Sequence, residues 1–186
     1  MRRPSQAMSP PGRPEGEHRQ AQPEGTQVSL LTWNDTLALG QPRMDATHVE
    51  FVEHLNALEA AASGHGDVAA ALAALTEHTD LHFAQEDRWM ATLGFAPQNC
   101  HAFQHQAVMN VLREVQRLYA AEASVALVQR LAAELAQWFP QHAQMMDAAL
   151  AETMAARGYD PETGALADPP APEAELITGC GGGSCG

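Results

Sequence analysis

The sequence predicts an all-α fold, an up-down-up-down antiparallel four-helix bundle flanked by disordered N- and C-terminal tails. Composition is the first reason. Of 186 residues 45% are hydrophobic but only 5% aromatic, and the apolar fraction leans on Ala and Leu, which favours packed helices over sheets. The second reason is four stretches in which apolar residues recur at helical spacing. The third is that only a few residues separate consecutive stretches, which implies antiparallel neighbours.

The elements follow in order. Residues 1–27 are rich in Pro, Gly, Gln and charge and cannot bury enough surface to offset ordering entropy, so they read as disordered. The bundle is expected over 28–159. Its first helix carries His48, Phe51, Val52, Leu55 and Leu58 on one face and ends at Ser63-Gly64-His65-Gly66. Asp67 caps the second, whose inward stripe is Leu72, Leu75, Thr79, His82, Glu86, Trp89 or Met90, and Leu93, closed by Gly94 and Pro97. A third starts near Gln98 with His101, His105, Val108, Met109, Leu112, Val115 and Tyr119, and breaks around Ala121–Ser124. Ser124 is placed to cap the fourth, whose stripe is Leu131, Leu135, Trp138, His142, Met145 and Ala149. Gly158 and Pro161 stop it, and 160–186 form a Pro/Gly-rich flexible tail bearing Cys180 and Cys185.

Charge narrows the partners. Ten Lys and Arg against 23 Asp and Glu leave a net charge of −13, a field that repels nucleic-acid phosphates and anionic lipid surfaces. No apolar run approaches a membrane span, and the basic start leads into no apolar signal region. Three cysteines, two of them in the last seven residues, do not make a disulfide scaffold. These features predict a cytoplasmic protein, monomeric or a small homo-oligomer, with no nucleic-acid or membrane partner.

Eight of the nine histidines fall between His48 and His142, and in each helix a His interrupts the apolar seam. His82 and Glu86 are four apart, as are His101 and His105, so each pair projects from one helical face toward a common point. His142 and Asp147 are five apart, which on an ideal helix turns the second side chain by ~140°. Either Asp147 approaches the site from another side, or the helix widens there into a π-type turn. With His48 the set holds five imidazoles and two carboxylates, more than one ion can use. The donor types suit iron, zinc, copper or manganese rather than magnesium or calcium. Without metal, burying them would leave many unpaired polar groups. His54, His65 and His78 fall outside this set, and Met90, Met109, Met145 and Met146 read as gap-filling core.

The order His48, His82-Phe-Ala-Gln-Glu86, His101-Ala-Phe-Gln-His105, His142-Ala-Gln-Met-Met-Asp147 resembles the haemerythrin domain, a non-haem di-iron, oxygen-binding four-helix bundle. Trp33-Asn34-Asp35, Met44-Asp45, His82-Phe83 and Trp138 are similar to its bacterial members, and the match runs from Leu31 to Tyr159. The resemblance implies two iron ions, one completed by His101, His105 and His142, the other held by His48 and His82 with one open position. Glu86 and Asp147 would bridge them with an oxo or hydroxo group, and dioxygen would bind reversibly as a hydroperoxide. Phe51, Phe83, Trp138 and Phe139 would line the oxygen side and keep it dry, while Pro140 removes a backbone donor two residues before His142.

The function expected is therefore oxygen storage, delivery or sensing, without turnover. The alternatives are a di-iron enzyme acting on nitric oxide or peroxide, or an iron-handling or iron–sulfur repair protein. In the last, the thiols Cys180 and Cys185 of the segment Gly-Cys-Gly-Gly-Gly-Ser-Cys-Gly would engage a protein partner.

Overall fold

The computed structural model describes residues 29–167 and 175–179. The N-terminal segment 1–27 and the residues Cys180 and Cys185 lie outside them. Among the described residues the chain is all-helical, with two isolated β-bridges and no strand. The helices are α1 (Pro42–Ala60), α2 (Val68–Thr92), α3 (Cys100–Glu122), α4 (Val125–His142) and α5 (Ala148–Ala156). A π-helical turn over Ala143–Asp147 joins α4 to α5, so these two form the fourth long helical segment, and a second π turn, Ala61–His65, prolongs α1.

Local chemistry explains the starts. Pro42 occupies the first turn of α1, where its missing N–H costs nothing, and the Gln41 side chain accepts from the Met44 amide at 2.6 Å. Asp67 accepts from the Ala70 amide and Asn99 from the Ala102 amide, capping α2 and α3. Ser124 sits at the cap position of α4 but makes no side-chain cap bond. Gly94 adopts φ +84° after α2, the left-handed conformation expected of a glycine stop.

Contacts run α1 to α2, α2 to α3, α3 to α4 and α4 to α1, closing a ring of four packed rods. Two apolar clusters fill it. One contains Phe51, Val52, Leu55, Phe83, Met109, Leu131, Leu135 and Phe139; the other contains Met44, Trp89, Met90, Leu93, Leu150 and Met154. Along α1 the chain passes from Met44 to His48 to Phe51, and along α2 from Phe83 to Glu86 to Trp89. A polar layer is thus clamped between two apolar ones.

Two expectations need correction. In the fourth helical segment Met145 is 64% exposed and Ala149 only half-buried, whereas Met146, Asp147, Leu150 and Met154 are buried. The π turn holds an extra residue, so the inward stripe moves on by one position after His142. The segment after residue 160 is also not all tail-like. Leu166 and Ile177 pack against the second apolar cluster, and Ile177 exchanges backbone hydrogen bonds with Gly94 and Ala96. Isolated apolar residues in a Pro/Gly-rich stretch were the signal for this docking.

Candidate metal centre

His48 from α1, His82 and Glu86 from α2, His101 and His105 from α3, His142 from α4 and Asp147 from the π turn all lie in the polar layer, each at most 5% exposed. The structure brings together every one of the seven residues that the spacing singles out. The π turn is what admits the last. Over Ala143–Asp147 it takes up the extra residue, so that Asp147 faces the same interior as His142.

The two carboxylates divide the imidazoles into two sets. Glu86 Oε1 lies 2.8 Å from His82 Nε2 and 3.8 Å from His48 Nε2, while its Oε2 lies 3.3 Å from both His101 and His105 Nε2. Asp147 Oδ1 is 3.0 Å from His101 Nε2 and 3.2 Å from His142 Nε2, and its Oδ2 is 3.2 Å from His48 Nε2. Each carboxylate therefore turns one oxygen to a three-histidine set and the other to a two-histidine set. Donor atoms of Glu86, His101, His105, His142 and Asp147 lie within 4.8 Å of one another, as do those of His48, His82 and Glu86.

The polar atoms at the centre test whether a metal fits. Nε2 of His48, His101, His105 and His142, Oε2 of Glu86 and both Asp147 oxygens are buried without a hydrogen-bond partner. Such orphans are costly in a protein interior, and here all point inward at ligand spacing. Five imidazoles and two carboxylates are a donor set for divalent transition metals, and they fit two ions better than one.

The outer imidazole nitrogens set the halves apart. His105 Nδ1 is 3.1 Å from Asp87 Oδ1 and His142 Nδ1 is 3.1 Å from Gln104 Oε1. Nδ1 of His48 and His82 has no partner. A hydrogen bond to the outer nitrogen fixes the tautomer and makes the inner one a better ligand. The three-histidine half is therefore the more firmly oriented. Neither Asp87 nor Gln104 was picked out from sequence, although each directly adjoins a ligand residue. Asp87→Asn is expected to weaken the more tightly held metal about 10- to 100-fold, measured by competition with a chromogenic chelator.

Aromatic rings enclose both halves. Phe139 meets His48 edge-on at 5.1 Å and stacks on Phe51 at 4.7 Å. Phe83 stacks on His105 at 3.9 Å and Trp138 on His142 at 4.3 Å. The four aromatics named from the sequence thus divide, Phe51 and Phe139 by the two-histidine half, Phe83 and Trp138 by the three-histidine half. Helix α4 runs through Pro140 without ending. Cys100 is the first residue of α3 and is disulfide-bonded.

Protonation balances charge when metal is absent. Burial pushes the His48 and His101 imidazoles down, but Asp147 and Glu86, which both rings face, raise each to about 9. His105 is also raised, against burial, by Asp87 and Glu86. His142 is lowered, chiefly by burial. Burial alone would raise Glu86 and Asp147, but the surrounding imidazoles hold both well below the carboxylate range. A group whose pKa is raised on folding stabilises fully below its unfolded value of 6.5 and loses that contribution as pH climbs through the folded value. His142 and His78, both lowered chiefly by burial, act oppositely, but only below pH 6.5. The metal-free protein should therefore melt progressively lower from pH 6.5 to pH 9 in thermal scans. Metal binding at pH 7 should release protons, because the metal needs the imidazoles neutral.

Comparison with known proteins agrees with the geometry. Residues 39–153 match the family described as Hemerythrin HHE cation binding domain. The chain belongs to the haemerythrin family. It is 39% identical over 133 residues to "Bacteriohemerythrin" of Ralstonia nicotianae (strain ATCC BAA-1114 / GMI1000), an alignment covering 72% of this chain and 95% of that relative. No solved structure matches. The haemerythrin match begins before α1 and ends within α5, so it takes in all seven residues of the polar layer. No helix among the described residues is long and apolar enough to cross a membrane.

Proposed function

We propose that this haemerythrin-family chain binds dioxygen reversibly at a di-iron centre, serving oxygen storage, delivery or sensing. The observation that carries the proposal is the division of the Glu86 and Asp147 oxygens between three histidines and two. In this reading His101, His105 and His142 hold one iron, His48 and His82 hold the other, and the carboxylates bridge. Two ferrous ions supply the two electrons that bound dioxygen takes up.

The protein's own residues have three tasks. Glu86 and Asp147 supply two negative charges at fixed positions, offsetting much of the cationic charge in an otherwise apolar layer. The outer hydrogen bonds of His105 and His142 lock those rings, while the two-histidine half, with one fewer imidazole, is where a small ligand has room. Phe139 and Phe51, both about 1% exposed, keep water from that half, and exclusion of water disfavours loss of reduced oxygen species. Phe51, Phe83, Trp138 and Phe139 form the oxygen pocket in this reading.

The test is metal analysis with visible spectra of the anaerobically reduced protein before and after oxygen. About two irons per chain, and a ligand-to-iron charge-transfer band that vanishes when oxygen is removed, are expected for such a His-rich, dry site. Immediate irreversible oxidation, or rapid turnover of nitric oxide or peroxide with added reductant, would favour an enzyme. No iron, or zinc alone, would overturn the assignment.

A further inference from the structure

Cys100, which the metal centre does not use, opens α3 one residue before His101, is half-buried and is disulfide-bonded. The chain has three cysteines, so within it the partner is Cys180 or Cys185. The described residues show what brings that end of the chain here. Ile177 donates its backbone N–H to the Gly94 carbonyl at 3.0 Å and accepts from the Ala96 N–H at 2.8 Å, a parallel bridge opposite Phe95. Its side chain packs on the apolar cluster of Met44, Trp89, Met90, Leu93 and Phe95. Asn99 closes the turn that follows, its side-chain amide donating to the Ala96 carbonyl at 2.8 Å while its oxygen caps α3. Cys180 follows Ile177 by three residues and Cys100 follows Ala96 by four.

An odd number of cysteines leaves a third sulfur over when Cys100 is bonded. Between that third cysteine and the partner of Cys100 stand only Gly181, Gly182, Gly183 and Ser184, and glycine restricts the backbone least. The third cysteine, having given its proton to solvent, attacks its neighbour's sulfur as a thiolate. The Cys180–Cys185 bond forms, the bond to Cys100 breaks, and the Cys100 sulfur leaves with the electron pair and takes up a proton. One disulfide and one thiol stand on each side, so no oxidant or reductant is consumed. The product is the same whether Cys180 or Cys185 begins on Cys100. Two loops compete in this exchange. Bonding across α3, α4 and α5 closes a far longer loop than bonding across four residues and costs more entropy, and the docking of Ile177 offsets that difference.

We propose that the Cys100 disulfide is an exchangeable tether, a thiol–disulfide site at which the third cysteine moves the bond onto the Cys180–Cys185 pair, freeing the Cys100 thiol and undocking Ile177. The turn that the tether braces has Glu86 on the helix before it and His101 on the helix after it, so release loosens the metal centre from one end. That effect on iron rests on the di-iron reading; the exchange itself does not.

The test maps disulfides in the full chain, incubated dilute at pH 8 without added thiol, quenched in acid, alkylated and digested for mass spectrometry. The parent should give both linkages, Cys100 to the C-terminal pair and Cys180 to Cys185, with alkylated Cys100 rising as the second appears. Ile177→Ser, at a half-buried position, should raise the Cys180–Cys185 fraction at least threefold with helix content unchanged, whereas Leu176→Ser, at a side chain 56% exposed, should not move it. Cys180→Ser and Cys185→Ser each leave one possible disulfide and no attacking thiol. In whichever retains the bond, Cys100 should resist alkylation at least tenfold longer than in the parent. In a second arm, ferrous, iron-loaded Cys100→Ser, which cannot be tethered, should exchange labelled Fe2+ at least threefold faster than the parent. A parent without the Cys180–Cys185 linkage would overturn the proposal, as would an unchanged fraction in Ile177→Ser or parental alkylation in the serine variants. Iron exchange at the parental rate would overturn the coupling to the centre. If the parent holds no iron pair, the di-iron reading fails while the linkage map still decides the tether.

Discussion

Glu86→Gln is expected to lower the metal content of the purified protein from roughly two ions per chain to less than one. Glu86 is fully buried and reaches both histidine sets, Oε1 toward His82 and His48, Oε2 toward His101 and His105. An amide is nearly isosteric, so packing between Phe83 and Trp89 survives. What disappears is a negative charge shared by four imidazoles. In the metal-free protein His48, His101 and His105 lose one of the anions that keep them protonated, and an unpaired buried charge costs about 3–5 kcal/mol. A lower melting temperature, together with low metal by mass spectrometry, is the combined outcome. Asp80→Asn is the contrast. Its pair with Arg113 at 2.9 Å has both partners more than half exposed, so the change should stay within about 0.5 kcal/mol and leave the metal alone. Full metal loading in Glu86→Gln would mean that the carboxylate is not a shared ligand.

The helical packing and the convergence of the seven buried histidines and carboxylates were legible because both depend on period. A buried stripe interrupted by His or Glu at spacings of four reads directly as one helical face, and the apolar residues on either side show that the face is interior. What stayed hidden depends on neighbours across helices. Nothing in the sequence singles out Asp87 and Gln104, and only the packing of α3 and α4 places His105 and His142 beside them. The spacing of five between His142 and Asp147 signalled irregularity but admitted two explanations, and only the π turn decides between them. The same turn reversed the expectation for Met145, which is exposed while Met146 is buried, since periodicity carried across an irregular turn loses one residue of phase.

That phase argument makes the largest expected effect in the fourth helical segment one of register rather than chemistry. Inserting an alanine between Met145 and Met146 should abolish metal binding and destabilise the fold, whereas deleting Gln144 should do neither. An added residue turns everything after it by ~100° on a helix already carrying one extra position. Asp147 then leaves the centre, and Leu150 and Met154, now 0% and 2% exposed, swing toward solvent. Exposing two such side chains costs about 3–6 kcal/mol. Deletion of Gln144 acts in the opposite sense. It brings Asp147 to four residues from His142, the spacing at which a regular α-helix places both on one face. The stripe beyond then keeps its present orientation, and the side chain lost is exposed, with a marginal contact of 3.5 Å to the Thr36 carbonyl. Metal analysis and thermal melts of the two variants decide the matter. Equal damage from insertion and deletion would show that the π geometry itself, rather than the register it preserves, is what the centre requires.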